Sequence, residues 1–209
     1  PGGHVIGLTG PPGVGKSTLT AALVRRFRAA GESVGVVAVD PSSRLTGGAL
    51  LGDRTRLRTD PDDDGIFVRS MAARDRLGGL SDDAVAAVAL MRAVRDRVIV
   101  ETVGVGQSEG DVAAVADTIV LLIQPGSGDS LQFMKAGVME LPDVVAVTKA
   151  DVGAAARRAR ADVEGALSLA HRADGDGWTV PVAMVSAAAG EGIEDLAATI
   201  DAHRAALAA

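Results

Sequence analysis

The sequence contains one glycine-rich segment whose residue types and spacing are suited to binding phosphate. Residues 10–17 read Gly-Pro-Pro-Gly-Val-Gly-Lys-Ser and match the pattern G-x-x-x-x-G-K-[ST]. In this pattern backbone N–H groups surround the phosphates, Lys16 reaches the β- and γ-phosphates, and the Ser17 hydroxyl ligates Mg²⁺. The segment therefore predicts a nucleoside triphosphate, without indicating its base. The expected contacts are Gly13, Val14, Gly15, Lys16, Ser17 and Thr18.

Carboxylates at the ends of apolar runs are candidates for handling the magnesium ion. Asp40 and Glu101 each end such a run, and a carboxylate there is hard to explain without a function. Asp53 is a third candidate, although a solvated loop acid explains it equally well. Gly104 can place its backbone N–H near a γ-phosphate. We expect Lys16, Asp40, Glu101 and Gly104 to act in catalysis, with Asp40 as the hypothetical orienter of water.

Two short segments in the second half of the chain could read the base. Residues 147–151, Val-Thr-Lys-Ala-Asp, resemble the N-K-x-D motif, in which the Asp accepts from two guanine N–H groups and the Lys stem packs on the ring. Adenine would leave Asp151 unpaired, at a cost of about 1–3 kcal/mol. Thr148 replaces the usual Asn, which calls into question the contact to the base N7 and the tie to the phosphate loop. Ser186, Ala187 and Ala188 resemble the loop whose backbone meets the guanine O6, so with Lys149 and Asp151 the sequence favours GTP over ATP.

Alternating strand and helix patterns position these segments. Apolar runs with β-branched residues predict seven strands. Helical spacing predicts the helices between them, with Leu19, Leu23 and Phe27 on one face of the first and Val85, Val88 and Met91 on one face of the second. This order predicts an α/β P-loop fold with a mostly parallel central sheet and helices on both faces. The predicted strands are 4–9, 34–39, 66–69, 98–101, 118–123, 144–148 and 180–185. The predicted helices are 17–30, 82–95, 111–116, 131–140, 153–170 and 193–207.

Composition excludes several classes of function. The 209 residues carry a net charge of −6 and no Cys, with three scattered His. The acidic balance argues against nucleic-acid binding, which needs a basic face, and the missing thiols exclude disulfides and thiolate metal sites. No apolar run reaches the roughly 18 residues that span a membrane. We expect a cytoplasmic protein with no nucleic-acid or membrane partner.

Beyond these short motifs, longer segments resemble the MeaB/ArgK GTPases of the G3E group. The similarity runs from about residue 5 to residue 200. It includes stretches that phosphate binding does not require. The segments that carry it are 39–43 (VDPSS), 46–56 (TGGALLGDRTR), 69–72 (RSMA), 77–80 (LGGL), 101–109 (ETVGVGQSE) and 126–132 (GSGDSLQ).

The resemblance implies a GTPase that chaperones an adenosylcobalamin-dependent acyl-CoA mutase and couples GTP hydrolysis to cofactor loading and protection. It implies that Ser17, Asp40, Asp53 and Glu101 handle Mg²⁺. It also implies a third switch loop at 124–135 that links nucleotide state to the partner, with Gln124, Asp129, Gln132 and Lys135 as its candidate residues. Lys135 is one of only three lysines among 21 Lys and Arg residues; the other two, Lys16 and Lys149, lie in the motifs above.

The resemblance also sets an expectation for domain organisation. We expect a single G domain over residues 1–209, without the N-terminal helical extension and C-terminal dimerisation arm of typical members. Formation of a homodimer therefore stays open.

Other functions remain to be weighed against this one. A nickel-delivery GTPase would need His or Cys ligands, a P-loop kinase would need an acceptor pocket, and a non-hydrolysing switch would not need the magnesium carboxylates. No residue is a clear arginine finger, because Arg44, Arg54 and Arg56 are explained as solvated side chains. We therefore expect slow turnover that a partner raises.

Overall fold

The chain folds as one parallel sheet with helices on both faces. The structure is a computed structural model that describes residues 2–40, 59–60, 62–72, 80–102, 108–126, 142–170 and 178–208. The strands in these ranges are β1 His4–Thr9, β2 Val34–Asp40, β3 Ile66–Ala72, β4 Arg97–Glu101, β5 Thr118–Ile123, β6 Val144–Val147 and β7 Val182–Met184. The helices are α1 Lys16–Ala29, α2 Asp82–Val94, α3 Ser108–Ala113, α4 Ala154–Ala170 and α5 Ile193–Leu207, with a 3₁₀ turn at Ala150–Val152.

The strand order explains where a site can form. The sheet runs β3-β2-β4-β1-β5-β6-β7, and every pairing is parallel. The chain first leaves β1 toward β2 and later passes from β4 to β5 on the other side of β1. From β5 it continues away from β1 toward β6. The connections that leave the neighbouring strands β1 and β5 therefore diverge at the carboxyl ends of these strands, and such a point in an open α/β sheet is where ligands bind. The register places the carboxyl ends of β1 and β4 side by side, because Leu8 near the end of β1 lies beside Glu101 of β4.

Alternating side chains of the central strands bury against two helical layers. Ile6 and Leu8 pack on one face with Leu19, Leu23 and Phe27 of α1, together with α5. The other face packs against α2 and α3 around a second cluster, and against α4 around a third. Strands β1, β4, β5 and β6 are buried along their whole length. The predicted fold class is confirmed.

Some local predictions were wrong. The pattern placed Val85 with Val88 and Met91 on the buried face of α2, but Val85 is 41% exposed and Ala84 is fully buried. The buried stripe follows Ala84, Val88 and Met91, which is the i, i+4, i+7 spacing of a helix. Strands β3 and β7 are only partly buried because they form the two edges of the sheet. The predicted helix at 131–140 lies outside the described residues.

Candidate functional site

The glycine-rich segment forms the turn between β1 and α1. Gly10, Gly13 and Gly15 have φ angles of 144°, 75° and 104°, which favour glycine. A Cβ on Gly10 would lie 2.5 Å from the carbonyl oxygen of Leu122, so β5 requires a glycine there. No described atom lies within 4 Å of a Cβ built on Gly13 or Gly15. These two glycines therefore serve the curvature of the loop, and the space that a side chain would take at each of them is open.

The helix that follows begins without a capping side chain. Gly15 is its N-cap residue, and the first turn contains Lys16, Ser17 and Thr18 but no acid. Its first N–H groups and the positive end of its dipole therefore favour an anion. Lys16 is 7% exposed, and its Nζ donates to the carbonyl oxygens of Gly10 at 2.8 Å and Pro11 at 3.1 Å. The ammonium group is thus held across the loop.

A buried carboxylate lies beside the serine of the loop. The Ser17 hydroxyl donates to Oε1 of Glu101 at 2.6 Å, and the Thr20 hydroxyl donates to Oε2 at 3.0 Å. Glu101 is 6% exposed at the carboxyl end of β4. The structure places Glu101, which the sequence predicted as a magnesium-handling acid, beside Ser17 of the phosphate loop. The sequence prediction did not include Thr20. A polar residue one turn after Lys16, on the buried side of an amphipathic helix, was the available signal.

The chemistry of Ser17 and Glu101 fits a magnesium ion. Hydroxyl and carboxylate oxygens are the ligands that Mg²⁺ takes, and it needs only one or two from the protein. Within the described residues, no three His, Cys, Asp or Glu side chains come close enough to form a metal site. Asp40 ends β2, but its side chain is outside the described part, as is the whole of Asp53. Ser17 and Glu101 are therefore the candidate ligands whose positions are known.

Thr148 connects the second predicted motif to the phosphate loop. Its hydroxyl lies 2.8 Å from the carbonyl oxygen of Val14 and 3.2 Å from that of Ile123. The side chain is 5% exposed. The question raised by Thr in place of Asn is thus answered for the loop, because the Thr148 hydroxyl makes the tie to the Val14 carbonyl.

The remaining base-reading candidates gather around Asp151. The Ser186 hydroxyl donates to Oδ1 of Asp151 at 2.7 Å, and the N–H of Ala150 donates to the carbonyl of Val185 at 3.0 Å. Ser186 is buried, whereas Asp151 is exposed on the 3₁₀ turn. These contacts bring the two predicted loops together and orient the Asp151 carboxylate. Ala187 is partly exposed and Ala188 is exposed in the same loop.

Lys149 connects the phosphate loop to the segment that follows β5. It has a φ of 54°, the one positive value of a non-glycine residue in the described chain. Its Nζ donates to the carbonyl oxygen of Gly13 at 3.2 Å and to Oε1 of Gln124 at 2.6 Å. Gln124 directly follows β5, so the predicted switch segment begins against this lysine. The other switch and catalytic predictions, Gly104, Asp129, Gln132 and Lys135, lie outside the described residues.

Comparisons with known proteins agree with this geometry. The profile of the family described as "Methylmalonyl Co-A mutase-associated GTPase MeaB" matches residues 2–209. A protein of Pyrococcus horikoshii named as a GTPase is 45% identical over 208 residues, covering 96% of this chain and 64% of that relative. The chain therefore spans less than two thirds of that relative's length.

Two solved structures are also similar. That of the LAO/AO transport system kinase has a TM-score of 0.73 at 30% identity, covering 100% of this chain and 61% of that chain. That of HypB from Helicobacter pylori in complex with nickel has a TM-score of 0.71 at 19% identity, covering 97% of this chain and 88% of that chain. The second likeness concerns the fold alone. In the described part of this chain, no helix has the length and apolar character needed to cross a membrane.

Proposed function

The chain belongs to the MeaB family of methylmalonyl-CoA mutase-associated GTPases, and from this premise we propose that it binds GTP and hydrolyses it to GDP and phosphate with Mg²⁺. One observation carries the proposal. The Thr148–Val14 hydrogen bond joins the phosphate loop to the loops that hold Asp151 and Ser186. A phosphate-binding half and a base-reading half thereby form one continuous site at the carboxyl edge of the sheet.

The phosphate half supports hydrolysis by charge neutralisation and positioning. Lys16 supplies a positive charge at the loop, and the N-terminus of α1 supplies N–H groups for the developing negative charge. Glu101 fixes the Ser17 hydroxyl through their 2.6 Å hydrogen bond. Mg²⁺, held by Ser17 with Glu101 and the acids Asp40 and Asp53, would neutralise phosphate charge when bound. In this proposal Asp40 orients the attacking water and the Gly104 N–H meets the γ-phosphate.

The base half supports selection of guanine. Guanine offers two donors, N1–H and the 2-amino group, to the two carboxylate oxygens of Asp151. Ser186 orients that carboxylate by its 2.7 Å hydrogen bond. Adenine offers no such donor pair, and leaving the carboxylate unpaired costs about 1–3 kcal/mol. We therefore propose Asp151 as the principal determinant of GTP over ATP, with Lys149 against the ring and the Ala187–Ala188 backbone at O6.

The biological role proposed here is that of a G-protein chaperone for an adenosylcobalamin-dependent acyl-CoA mutase. The family description and the contact between Lys149 and Gln124 support it, since this contact joins the base half to the segment 124–135. GTP binding would change how that segment meets the mutase, through Asp129, Gln132 and Lys135. Hydrolysis would then time the loading and protection of the cofactor.

The test measures phosphate release from GTP and ATP, with and without a purified cobalamin-dependent mutase. We expect slow release from GTP alone, a several-fold rise with mutase, and little release from ATP. Asp151→Asn provides the matched control. Its amide should favour xanthosine triphosphate, whose ring carries a donor at N1 and an acceptor at O2. If no mutase stimulates phosphate release and the nucleotide has no effect on cobalamin transfer, the proposed chaperone role is wrong. The proposed GTPase activity would be unaffected by that result.

A second candidate is a P-loop kinase, because a similar solved structure bears the name of a transport system kinase. The same assay separates the two functions. A hydrolase releases the γ-phosphate of radiolabelled GTP as inorganic phosphate, whereas a kinase leaves it on an acceptor. Nickel delivery has less support, since the chain has no Cys, and both His4 and His203 are hydrogen-bonded to Thr118 in the interior.

A further inference from the structure

The residue that precedes Lys149 has its hydrogen-bond donors directed at backbone oxygens. The Thr148 N–H donates to the carbonyl of Ile123 at 2.8 Å. Its hydroxyl is 2.8 Å from the carbonyl of Val14, with the Ile123 carbonyl as a second acceptor at 3.2 Å. A threonine hydroxyl carries one proton, and the shorter of its two contacts, the one to Val14, assigns that proton to the phosphate loop.

The contrast with an amide side chain follows from counting donors. Asn has two N–H donors, so one can hold the phosphate loop while the other meets an acceptor on the base. The guanine N7 is such an acceptor, and it has no hydrogen to offer in return. Thr148 cannot serve both partners at once. Releasing Val14 would leave a carbonyl without its bond in a buried position, which is unfavourable.

We infer that this site reads guanine through its Watson–Crick edge and leaves N7 unread, because Thr148 commits its hydroxyl to the phosphate loop. The inference rests on the proposed function and specifies which part of the base determines selectivity. Asp151 and Ser186 supply the recognition of the Watson–Crick edge. The site should therefore accept guanine nucleotides in which C–H replaces N7 about as well as GDP itself.

The test compares the affinities of GDP and 7-deaza-GDP for four forms of the chain. Wild type and Thr148→Ser keep the single hydroxyl, and both should bind the two nucleotides within about twofold of each other. Thr148→Val removes the tie to the loop and should weaken both nucleotides equally. Thr148→Asn adds a second donor and should favour GDP over 7-deaza-GDP by about fivefold to tenfold, the effect of one added hydrogen bond.

Because each variant is judged by the ratio of two affinities, general damage to the site cancels. A wild-type preference for GDP of more than about fivefold would overturn the inference. So would a Thr148→Asn variant that folds and binds GDP yet shows no new preference, since the tolerance would then not depend on Thr148. If wild type binds ADP as tightly as GDP, the proposed guanine specificity itself fails, which is a separate outcome. Circular dichroism establishes that each variant is folded.

Discussion

The carboxyl edge of the sheet, where its strands end, and the amino edge, where they begin, use polar side chains in opposite ways. At the carboxyl edge Lys16, Ser17 and Glu101 surround an open glycine loop, and their hydrogen bonds set up groups suited to a ligand. At the amino edge, polar side chains form a closed network in the interior. His4 Nε2 and His203 Nδ1 each lie 2.8 Å from the Thr118 hydroxyl, and all three residues are less than 5% exposed.

Further groups complete the amino-edge network. Asp117 accepts from the N–H of Val5 at 2.9 Å and lies 3.8 Å from His4, while Asp143 lies 3.3 Å from His203. Trp178 packs against the His203 ring with centroids 4.8 Å apart. Buried polar groups that satisfy one another stabilise a fold, whereas a binding site must keep groups for its ligand. The comparison predicts that changes at the carboxyl edge alter activity and changes at the amino edge alter stability.

Lys16→Ala should have the largest effect. In the proposed mechanism it removes the charge that would neutralise the transferring phosphate, and we expect about a 10³-fold loss in kcat/KM for GTP, or about 4 kcal/mol of transition-state stabilisation. Phosphate release measures the loss. The midpoint of urea unfolding should stay near that of wild type, and a large fall in that midpoint would contradict the division between the two edges.

Glu101→Gln should give the next largest effect. The variant preserves shape but removes the charge beside Ser17, so we expect about a 10²-fold lower kcat and a higher Mg²⁺ concentration for half-maximal rate. A magnesium titration of GTP hydrolysis measures both. An unchanged magnesium dependence would remove Glu101 from the metal site. Ser33→Ala serves as a control at the amino edge, where the Ser33 hydroxyl donates to Asp96. It should leave both the kcat and the magnesium concentration for half-maximal rate unchanged.

Thr118→Val should destabilise the protein without changing its affinity for the nucleotide. The change is close to isosteric, but it leaves a nitrogen of each neighbouring histidine without its partner in the interior. We expect the free energy of unfolding to fall by about 3 kcal/mol, measured by urea denaturation. GDP affinity of the folded variant should match that of wild type, and a weaker affinity would show that the two edges are coupled.

Acid should weaken the amino edge by a smaller amount. Burial lowers the pKa of His4 from 6.5 to about 4, against the opposing charge of Asp117. The unfolded chain therefore binds a proton below pH 6.5 that the folded chain does not take up until about pH 4. This contribution to stability is complete above pH 6.5 and falls by about 2 kcal/mol between pH 7 and pH 5.

Unfolding free energies at pH 7 and pH 5 measure this loss, and His4→Gln is the matched variant. It should reduce the loss over this interval, whatever its own stability at pH 7. The interval also lies above the range in which Asp63 and Asp96 titrate, since hydrogen bonds to Arg28 and to Ser33, respectively, lower their pKa values. An equal loss in His4→Gln would assign the effect to other groups.

Most elements could be predicted because their signals are local. The bounds of β1, β5 and α5 match the prediction, and the apolar spacing of Leu19, Leu23 and Phe27 is buried as expected. One error occurred where a local pattern has two solutions. Val85 and Ala84 are adjacent apolar residues on α2, and only packing on β2 and β4 selects the buried one. The expectation of a single G domain without the extension and arm stays a prediction.

The sequence by itself indicated which chemical groups the proposed site would use. Lys16, Ser17, Glu101, Asp151 and Ser186 were identified from residue type, spacing and position at the ends of predicted strands. Only the tertiary structure decided how these groups are connected. Thr20 reaches Glu101 across 81 positions, Thr148 reaches Val14 across 134, and His4 reaches Thr118 across 114. Such contacts depend on strand order and register, which no short stretch of sequence contains.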